Sequence, residues 1–275
     1  MTVAEAIRAA AERLSATSDT ARLDAELLMA HALGVSRSDM LVRAMRDPVP
    51  ETFDTLVVRR QRHEPIAYIT GRQEFYGRDF AVGPGILIPR GDSETLIEAA
   101  IEIAPHARSV LDLGTGSGAL LITALLELDD ASGVGIDVSE TAVRVSGSNA
   151  RALGLGEDRV RFLQRDWSEP GWADDLGRFD LILCNPPYVE DDAPLDPDVR
   201  EFEPAGALFS GPEGLDDYRV LIPQLRKLMT ENPVAIIEIG ATQAESVSEI
   251  AEMAGFAVEM RHDLANRPRA VIFRA

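Results

Sequence analysis

The chain has 275 residues, of which 45% are hydrophobic and 27% are charged. These proportions are typical of a soluble globular protein with one large core or two unequal cores, and we expect two domains. The single cysteine, Cys184, excludes an intramolecular disulfide and a cysteine metal cluster. We therefore exclude redox and zinc chemistry and expect no metal site.

The net charge of −19 is distributed unevenly. Residues 1–72 hold ten basic and ten acidic residues, whereas the remaining chain holds 17 basic and 36 acidic residues. So acidic a surface lacks the surplus of Lys and Arg that neutralises phosphates, and we expect no nucleic-acid partner. No apolar run approaches the roughly 18 residues of a membrane span, and the N-terminus carries acids, which a signal peptide does not. We therefore expect a cytoplasmic protein with no membrane association.

The N-terminal segment is predicted to be helical, because apolar residues recur at spacings of three and four from Val3 onward. Residues 1–72 are interpreted as a small helical bundle. Its helix at about residues 51–63 ends in three arginines that we expect to be solvated, Arg59, Arg60 and Arg62. Glycines then break alternating aromatic and aliphatic residues over 64–90, which predicts a hairpin with a linker over residues 73–88.

Helical and strand-like patterns alternate from about residue 92. This alternation predicts a doubly wound α/β sheet of the Rossmann-like type over residues 89–275. The last two strand-like runs flank an Asn-Arg-Pro turn, so we expect an antiparallel hairpin at the edge of the sheet. Ligands of such folds bind at the carboxyl ends of the strands.

A buried strand runs into a glycine turn that opens a helix, through Val110, Leu111, Asp112, Leu113, Gly114, Thr115, Gly116, Ser117 and Gly118. Glycines at such a turn let the backbone approach a ligand closely. Asp137 ends the next strand, 23 positions after Gly114, where its carboxylate can accept hydrogen bonds from both hydroxyls of an adenosine ribose. Together the two features predict a cofactor that contains adenosine.

Two cofactor classes fit this turn. Gly114, Gly116 and Ala119 also satisfy the dinucleotide fingerprint, so nicotinamide and flavin cofactors stay open. Asp112 favours S-adenosylmethionine, because an acid two residues before the first glycine can meet the ammonium group of that cofactor and would repel a pyrophosphate.

Asp166 and Trp167 follow the third strand of the predicted sheet, at the level of an adenine base. The carboxylate can accept a hydrogen bond from the exocyclic amine, and the indole offers a stacking face. A tryptophan that caps the core beside an exposed acid explains the pair equally well.

The fourth strand ends in the NPPY motif, which consists of Asn185, Pro186, Pro187 and Tyr188. A Pro-Pro turn after a strand is ordinary, but it does not account for the flanking Asn and Tyr. The nitrogen of an amide or aromatic amine is a poor nucleophile because its lone pair is delocalised, and methyl transfer leaves it positively charged. The Asn185 side-chain oxygen and the Pro186 carbonyl can accept hydrogen bonds from that nitrogen, while Tyr188 walls the planar group. We therefore predict methyl transfer to a planar NH2 group without a general base.

Seven blocks along nearly the whole chain carry a resemblance to a known family, namely EPIAYITGRQEFYG, IPRGDSETLIE, VLDLGTGSGAL, GIDVSE, FDLILCNPPYV, DVREFEPAGALFSGPEGLDDYR and IIEIGATQ. The chain resembles the bacterial glutamine N5-methyltransferases of peptide chain release factors, the PrmC/HemK family. The resemblance implies methylation of the glutamine in a Gly-Gly-Gln tripeptide. It implies cofactor contacts from residues 114–118, Asp137, Trp167 and Asn185, and a grip on the release factor by residues 1–72, including the arginines near Arg60.

The family commonly has Arg-Pro-Asp-Thr-Glu where this chain has Arg-Gly-Asp-Ser-Glu at positions 90–94. The serine keeps a hydroxyl, so we expect Ser93 to cap the following helix. Two alternative functions stay open, an adenine N6-methyltransferase acting on nucleic acid and a methyltransferase for another protein glutamine. The acidic surface and the missing target-recognition domain count against the first.

Overall fold

The computed structural model describes residues 1–274. The chain divides into two compact units, the first made of residues 1–72 with 195–202 and the second of residues 73–194 with the chain from 203 onward. The helices of the described residues, numbered in chain order, are α1 (Val3–Leu14), α2 (Ala21–Leu33), α3 (Arg37–Asp39), α4 (Phe53–Gln61), α5 (Ile66–Thr70), α6 (Glu94–Ile103), α7 (Ala119–Glu127), α8 (Glu140–Ala152), α9 (Pro197–Phe202), α10 (Asp216–Leu221) and α11 (Ala244–Met253). None of these helices is long and apolar enough to cross a bilayer.

The first unit is a helical bundle, as the apolar spacing predicted. The N-cap residue Thr2 caps α1 in a capping box with Glu5, and Gly34 ends α2 in the left-handed conformation that glycine adopts without strain. The core between the helices is fully buried and includes Val3, Ile7, Leu14, Leu28, Met29, Met40 and Val57. Helix α5 falls within the stretch expected to form only a hairpin, because Ala67, Tyr68 and Ile69 are buried together rather than on alternate faces.

The expectation of a solvated Arg60 is wrong. Its side chain is only 8% exposed, and Nε donates to Oδ2 of Asp24 over 2.7 Å. Ser18 and Thr20 also donate to Asp24, each over 2.8 Å. A second carboxylate, Asp198 on α9, lies 3.5 Å from Nη1 of Arg60. The arginine therefore ties residues 195–202 into the first unit rather than facing solvent.

The second unit contains a two-stranded hairpin and a seven-stranded sheet. The hairpin pairs β1 (Arg72–Phe75) with β2 (Arg78–Ala81). The first residue of β1, Arg72, still belongs to the first unit. The strands of the sheet are β3 (Ser109–Leu113), β4 (Ser132–Asp137), β5 (Val160–Gln164), β6 (Phe179–Cys184), β7 (Met229–Glu238), β8 (Ala257–His262) and β9 (Pro268–Arg274). Their order across the sheet is β5-β4-β3-β6-β7-β9-β8. The predicted doubly wound α/β fold is confirmed.

The order of the strands fixes where a ligand can bind. Strands β3 to β7 are parallel, and the order reverses between β3 and β6, which creates a crevice at their carboxyl ends. The predicted C-terminal antiparallel hairpin is present, with β9 inserted between β7 and the edge strand β8. Buried residues cover both faces of the sheet in two clusters, one around Leu121 and Ile236 and the other around Ile182 and Tyr218.

The buried ion pair of the first unit yields a stability prediction. Replacing Asp24 by alanine leaves the Arg60 guanidinium buried and deprives two hydroxyls of their acceptor, so Asp24→Ala should lower the free energy of unfolding by about 3–5 kcal/mol. Urea unfolding measures this loss. Asp54→Ala is the matched control, because Asp54 pairs with Arg13 at an exposed position and such pairs contribute little. Equal losses in the two variants would contradict the assignment.

Candidate active site

The carboxyl ends of β3, β4, β5 and β6 surround one cavity of about 440 Å³ in the second unit. Most of the residues predicted from the motifs line it, namely Gly114, Thr115, Gly116, Ser117, Asp137, Asp166, Trp167, Asn185 and Pro187. Four other predicted residues are absent from the lining, namely Asp112, Gly118, Pro186 and Tyr188. The structure thus brings together motifs that follow four strands, whereas these four predicted residues are not part of the cavity lining.

Residues 114–118, the glycine loop, follow β3 and cross the end of β4. The backbone amides of Gly114 and Thr115 both donate to the carbonyl of Ile136, over 3.0 and 2.8 Å. At Gly114 the backbone has φ of +73°, and a Cβ there would lie 3.3 Å from the Trp167 ring. Any other residue would therefore be strained and would push against the indole. Gly118 begins α7 and packs against Ile122, so its requirement for glycine comes from the helix start rather than from the cavity.

Asp137 fixes the glycine loop through hydrogen bonds to its carboxylate. Its Oδ2 accepts from the amide of Gly116 and its Oδ1 from the amide of Ser139, each over 2.9 Å. Burial raises the pKa of this carboxyl, while the two backbone hydrogen bonds lower it. Each carboxylate oxygen has a further lone pair, so Asp137 can still accept from hydroxyl groups of a ligand in the cavity.

Asp112 lies beneath the glycine loop and is 1% exposed. Its Oδ2 accepts from the Thr115 hydroxyl over 2.6 Å, whereas Oδ1 has no hydrogen-bond partner among residues 1–274. Burial is the main cause that raises the pKa of Asp112, the bond from Thr115 lowers it and the charge of Asp137 raises it, with a net pKa of about 7. An orphaned carboxylate oxygen is costly, and a nearby positive charge would compensate it. Asp112 is nearly fully buried and does not line the cavity, so its contact with the ammonium group of a cofactor stays a prediction.

Trp167 contributes its indole to the cavity wall and is fixed by a residue that the motifs did not reveal. Nε1 of Trp167 donates to Oδ1 of Asp217 over 3.0 Å, and the hydroxyl of Ser210 donates to Oδ2 of Asp217 over 2.7 Å. Trp167 also packs against one core cluster of the sheet, so it both caps the core and faces the cavity. The neighbouring Asp166 uses Oδ1 to accept from Ser168.

Asn185 enters the cavity directly after β6 and is half-buried. Its Nδ2 donates to the Ser93 hydroxyl over 3.4 Å, an orientation that frees Oδ1 to accept a hydrogen bond. The expectation that Ser93 caps α6 is wrong. Its backbone is already helical, with φ of −68° and ψ of −13°, and no side-chain capping bond forms. Ser93 lines the cavity instead.

Tyr188 packs with its ring against a core cluster of the sheet rather than lining the cavity. Its hydroxyl donates to Oε1 of Glu238 over 3.2 Å. Burial, the largest cause, and the negative charge of Glu238 both raise the pKa of this phenol. Tyr188 is therefore neutral at physiological pH, and its contact with a substrate stays a prediction.

Residues 190–214, the mouth loop, also contribute to the wall through Pro204, Gly206 and Ala207. The buried Glu203 anchors this part of the loop. Its Oε2 accepts from the amide of Ile88 over 3.0 Å, and its Oε1 accepts from the guanidinium of Arg90. An acid before a proline gave no sequence signal for this role, because its partners lie more than a hundred residues away in the chain.

Comparison with known proteins agrees with this geometry. Residues 5–71 match the family model of the PrmC N-terminal domain, and residues 106–257 match that of a methyltransferase domain. A release factor glutamine methyltransferase of Rhodospirillum rubrum is 40% identical over 92% of this chain and 78% of its own length. One of Cereibacter sphaeroides is 38% identical over 100% of this chain and 99% of its own. The fold is similar to that of a putative SAM-dependent methyltransferase from Streptococcus mutans, with a TM-score of 0.55, 14% identity and coverage of 74% of this chain and 55% of the other.

The sheet, the glycine loop and the matching domain define an S-adenosylmethionine-dependent methyltransferase. This result confirms the predicted cofactor over the nicotinamide and flavin alternatives. Within that class, the chain belongs to the release factor glutamine methyltransferases, since it is similar to their curated members over most of its length. The family resemblance inferred from the seven sequence blocks is thus confirmed.

The raised pKa of Asp112 predicts a pH dependence of stability. The carboxyl has a pKa of about 4 in the unfolded chain and of about 7 in the native state. Between these two pH values, folding is therefore accompanied by the uptake of a proton. Its stabilising effect is therefore fully present below about pH 4 and is lost as the pH rises to about 7. Asp112→Asn removes this dependence, so the variant should gain stability relative to the native protein as the pH increases from about 5 to about 7.

Urea unfolding of the cofactor-free proteins across this pH range checks the prediction. Asp180→Asn serves as the control, because hydrogen bonds lower the pKa of Asp180 and its stabilising effect is lost only under more acidic conditions. A stability difference between Asp112→Asn and the native protein that stays constant over the range would contradict the buried, protonated state.

Proposed function

We propose that this enzyme transfers a methyl group from S-adenosylmethionine to the side-chain amide nitrogen, N5, of the glutamine in the Gly-Gly-Gln motif of peptide chain release factors. The observation that carries the proposal is the position of Asn185, which lines the cofactor cavity with its amide oxygen available. The names of the curated relatives support a release factor as the substrate. We accordingly place the reaction in the cytoplasm, where release factors act.

The chemical problem is the low nucleophilicity of the amide nitrogen. When bound, S-adenosylmethionine supplies an electrophilic methyl group on a positively charged sulfur. Transfer of this methyl group to the amide nitrogen would form the N–C bond as the S–C bond breaks, which would leave a neutral thioether and a positively charged nitrogen that then loses one proton to water. Oδ1 of Asn185 and the carbonyl of Pro186 accept hydrogen bonds from the N–H groups, and these bonds strengthen as the charge develops. The NPPY motif thus stabilises the transition state without removing a proton.

Residues of the cavity support this assignment of roles. Asp137, Asp166 and Trp167 line the same cavity, and we assign Asp137 to the ribose hydroxyls and the other two residues to the adenine. Gly114 and Gly116 bring the backbone against the ligand. None of the four histidines of the chain lines the cavity, which agrees with a mechanism that needs no general base.

Asn185→Ala tests the proposed catalytic role. Loss of one transition-state hydrogen bond should lower kcat for release factor methylation by roughly 10²–10³-fold, with little change in cofactor affinity. The native enzyme and the variant are each incubated with labelled cofactor, a mixture of release factors and DNA. The polymers are then separated, and the rate at which each one gains label is measured. Label should enter the release factors at the Gly-Gly-Gln glutamine.

Two outcomes of this assay contradict the proposal. Label in DNA adenines would favour the adenine methyltransferase, which the acidic surface argues against. Label in a protein other than a release factor would favour a different glutamine substrate. Gln164→Ala is a matched control for Asn185→Ala, because Gln164 is another amide at the carboxyl end of a strand but is exposed and does not line the cavity.

We also propose that the first unit docks the release factor, as the match to the PrmC N-terminal domain supports. Arg60 cannot take part, since it is buried against Asp24, but the nearby Arg62 is exposed. Arg62→Glu should lower kcat/KM for a whole release factor about tenfold, the effect of an interaction of about 1.4 kcal/mol, and should leave a short Gly-Gly-Gln peptide unaffected.

Steady-state kinetics on both substrates check this prediction. Arg144→Glu is the matched control, because Arg144 is an exposed arginine on α8 of the second unit. If Arg62→Glu and Arg144→Glu impair the whole factor equally, or if the peptide suffers as much as the factor, docking through the first unit is refuted.

A further inference from the structure

Glu238 is a buried carboxylate that the mechanism above does not use. It is the last residue of β7 and is only 1% exposed. Cys184 and Ile237 are partners in the parallel pairing of β6 with β7. The residues that follow them, Asn185 and Glu238, therefore lie side by side. Glu238 nevertheless does not line the cavity, so it lies next to the NPPY motif and behind the wall.

The first link from Glu238 to the motif runs through Tyr188, whose hydroxyl donates to Oε1 over 3.2 Å. The backbone of Tyr188 is fixed as well. Its amide donates to the carbonyl of Leu208 over 3.1 Å, and its carbonyl accepts from Nε2 of Gln243 over 3.0 Å. Because the amide, the carbonyl and the hydroxyl of Tyr188 all form hydrogen bonds, this residue is held in one orientation. Glu238 supplies the hydrogen bond that holds its side chain.

The second link runs through Ser93. Ser93 lowers the pKa of the Glu238 carboxyl, while Oε2 of Glu238 has no hydrogen-bond partner within residues 1–274. The hydroxyl of Ser93 accepts from Nδ2 of Asn185 over 3.4 Å. Glu238 therefore contacts the NPPY motif directly at Tyr188, and it interacts electrostatically with Ser93, the hydrogen-bond partner of Asn185.

The fold alone gives no reason for a carboxylate at this position. Burial is the largest influence on Glu238 and raises its pKa, which means that the charged form is poorly stabilised. The nearby Arg269 forms its ion pairs with Asp92 and Asp263, over 2.7 and 3.1 Å, rather than with Glu238. Replacing a buried charged group by an apolar residue of similar volume is often neutral or stabilising.

We propose that Glu238 is a positioning residue for methyl transfer, which orients the NPPY motif through its hydrogen bond with the Tyr188 hydroxyl and its place beside Asn185 in the sheet. The inference rests on the proposed function, because it assumes that the motif holds the substrate amide. Glu238 itself touches neither substrate nor cofactor. Its effect is on the geometry of the acceptors, and displacement of reacting groups by about 1 Å can cost about 10²-fold in rate.

Glu238→Leu and Glu238→Gln test this role in the full-length enzyme. Leucine removes the acceptor oxygen, so kcat should fall by roughly 10–10²-fold while the affinity for S-adenosylhomocysteine and the thermal midpoint stay close to those of the native protein. Glutamine keeps an oxygen that can accept from Tyr188, so Glu238→Gln should retain most of the activity. The retained cofactor affinity shows that each variant is folded.

A double-variant cycle separates positioning from a general structural role. Tyr188→Phe removes the hydroxyl, and the double variant Tyr188→Phe with Glu238→Leu should be no slower than the slower single variant, because both changes break the same link. Asp180→Asn is the matched control, since Asp180 is a carboxylate at the opposite end of β6 that accepts from Arg108, Ser109 and Thr230. It should leave kcat unchanged.

Three results would overturn the inference. A folded Glu238→Leu enzyme with the native kcat would refute the positioning role while leaving the proposed function intact. A double variant whose loss is the product of the single losses would show that Glu238 does not act through Tyr188. Failure of the native enzyme to methylate release factors in the same assay would refute the proposed function, and the inference with it.

Discussion

The parallel register at the centre of the sheet is the constraint on which the rest of the site depends. Leu113 at the end of β3 is paired with Ile136 in β4 on one side and with Cys184 in β6 on the other. The residues that follow these three strands therefore emerge at one level, where the strand order reverses. A shift of one residue in either pairing would turn Asp137 or Asn185 toward the opposite face of the sheet.

Much of this arrangement was predictable from the sequence because it is encoded locally. The glycine loop, Asp137 and the NPPY motif each follow a strand-like run directly, and parallel strands bring such positions together without further information. The prediction of an α/β sheet and of S-adenosylmethionine succeeded for the same reason. The predicted cofactor and substrate contacts of individual residues, including Asp112 and Tyr188, stay predictions, and neither of these two residues is part of the cavity lining.

What the sequence did not reveal depends on partners that are distant in the chain. Asp217 fixes Trp167 across 50 positions, and Glu203 binds the backbone of Ile88 across 115. In a single sequence such acids are indistinguishable from solvated surface residues, which most acids are. Arg60 was misjudged for the same reason, since arginines at a helix end are normally exposed and its partner Asp24 lies 36 positions earlier.

The division of the chain has a consequence for the mouth loop. Residues 190–214 would form a long connection without regular structure if the second unit were considered alone, but residues 195–202 belong to the first unit and are helical from Pro197. The helix α9 within it divides one long connection into two short ones, and Glu203 fixes the start of the second. A shorter connection samples fewer conformations, so less entropy is lost when a substrate orders it. The segment with Pro204, Gly206 and Ala207 therefore has less conformational freedom to lose than the length of the mouth loop alone indicates.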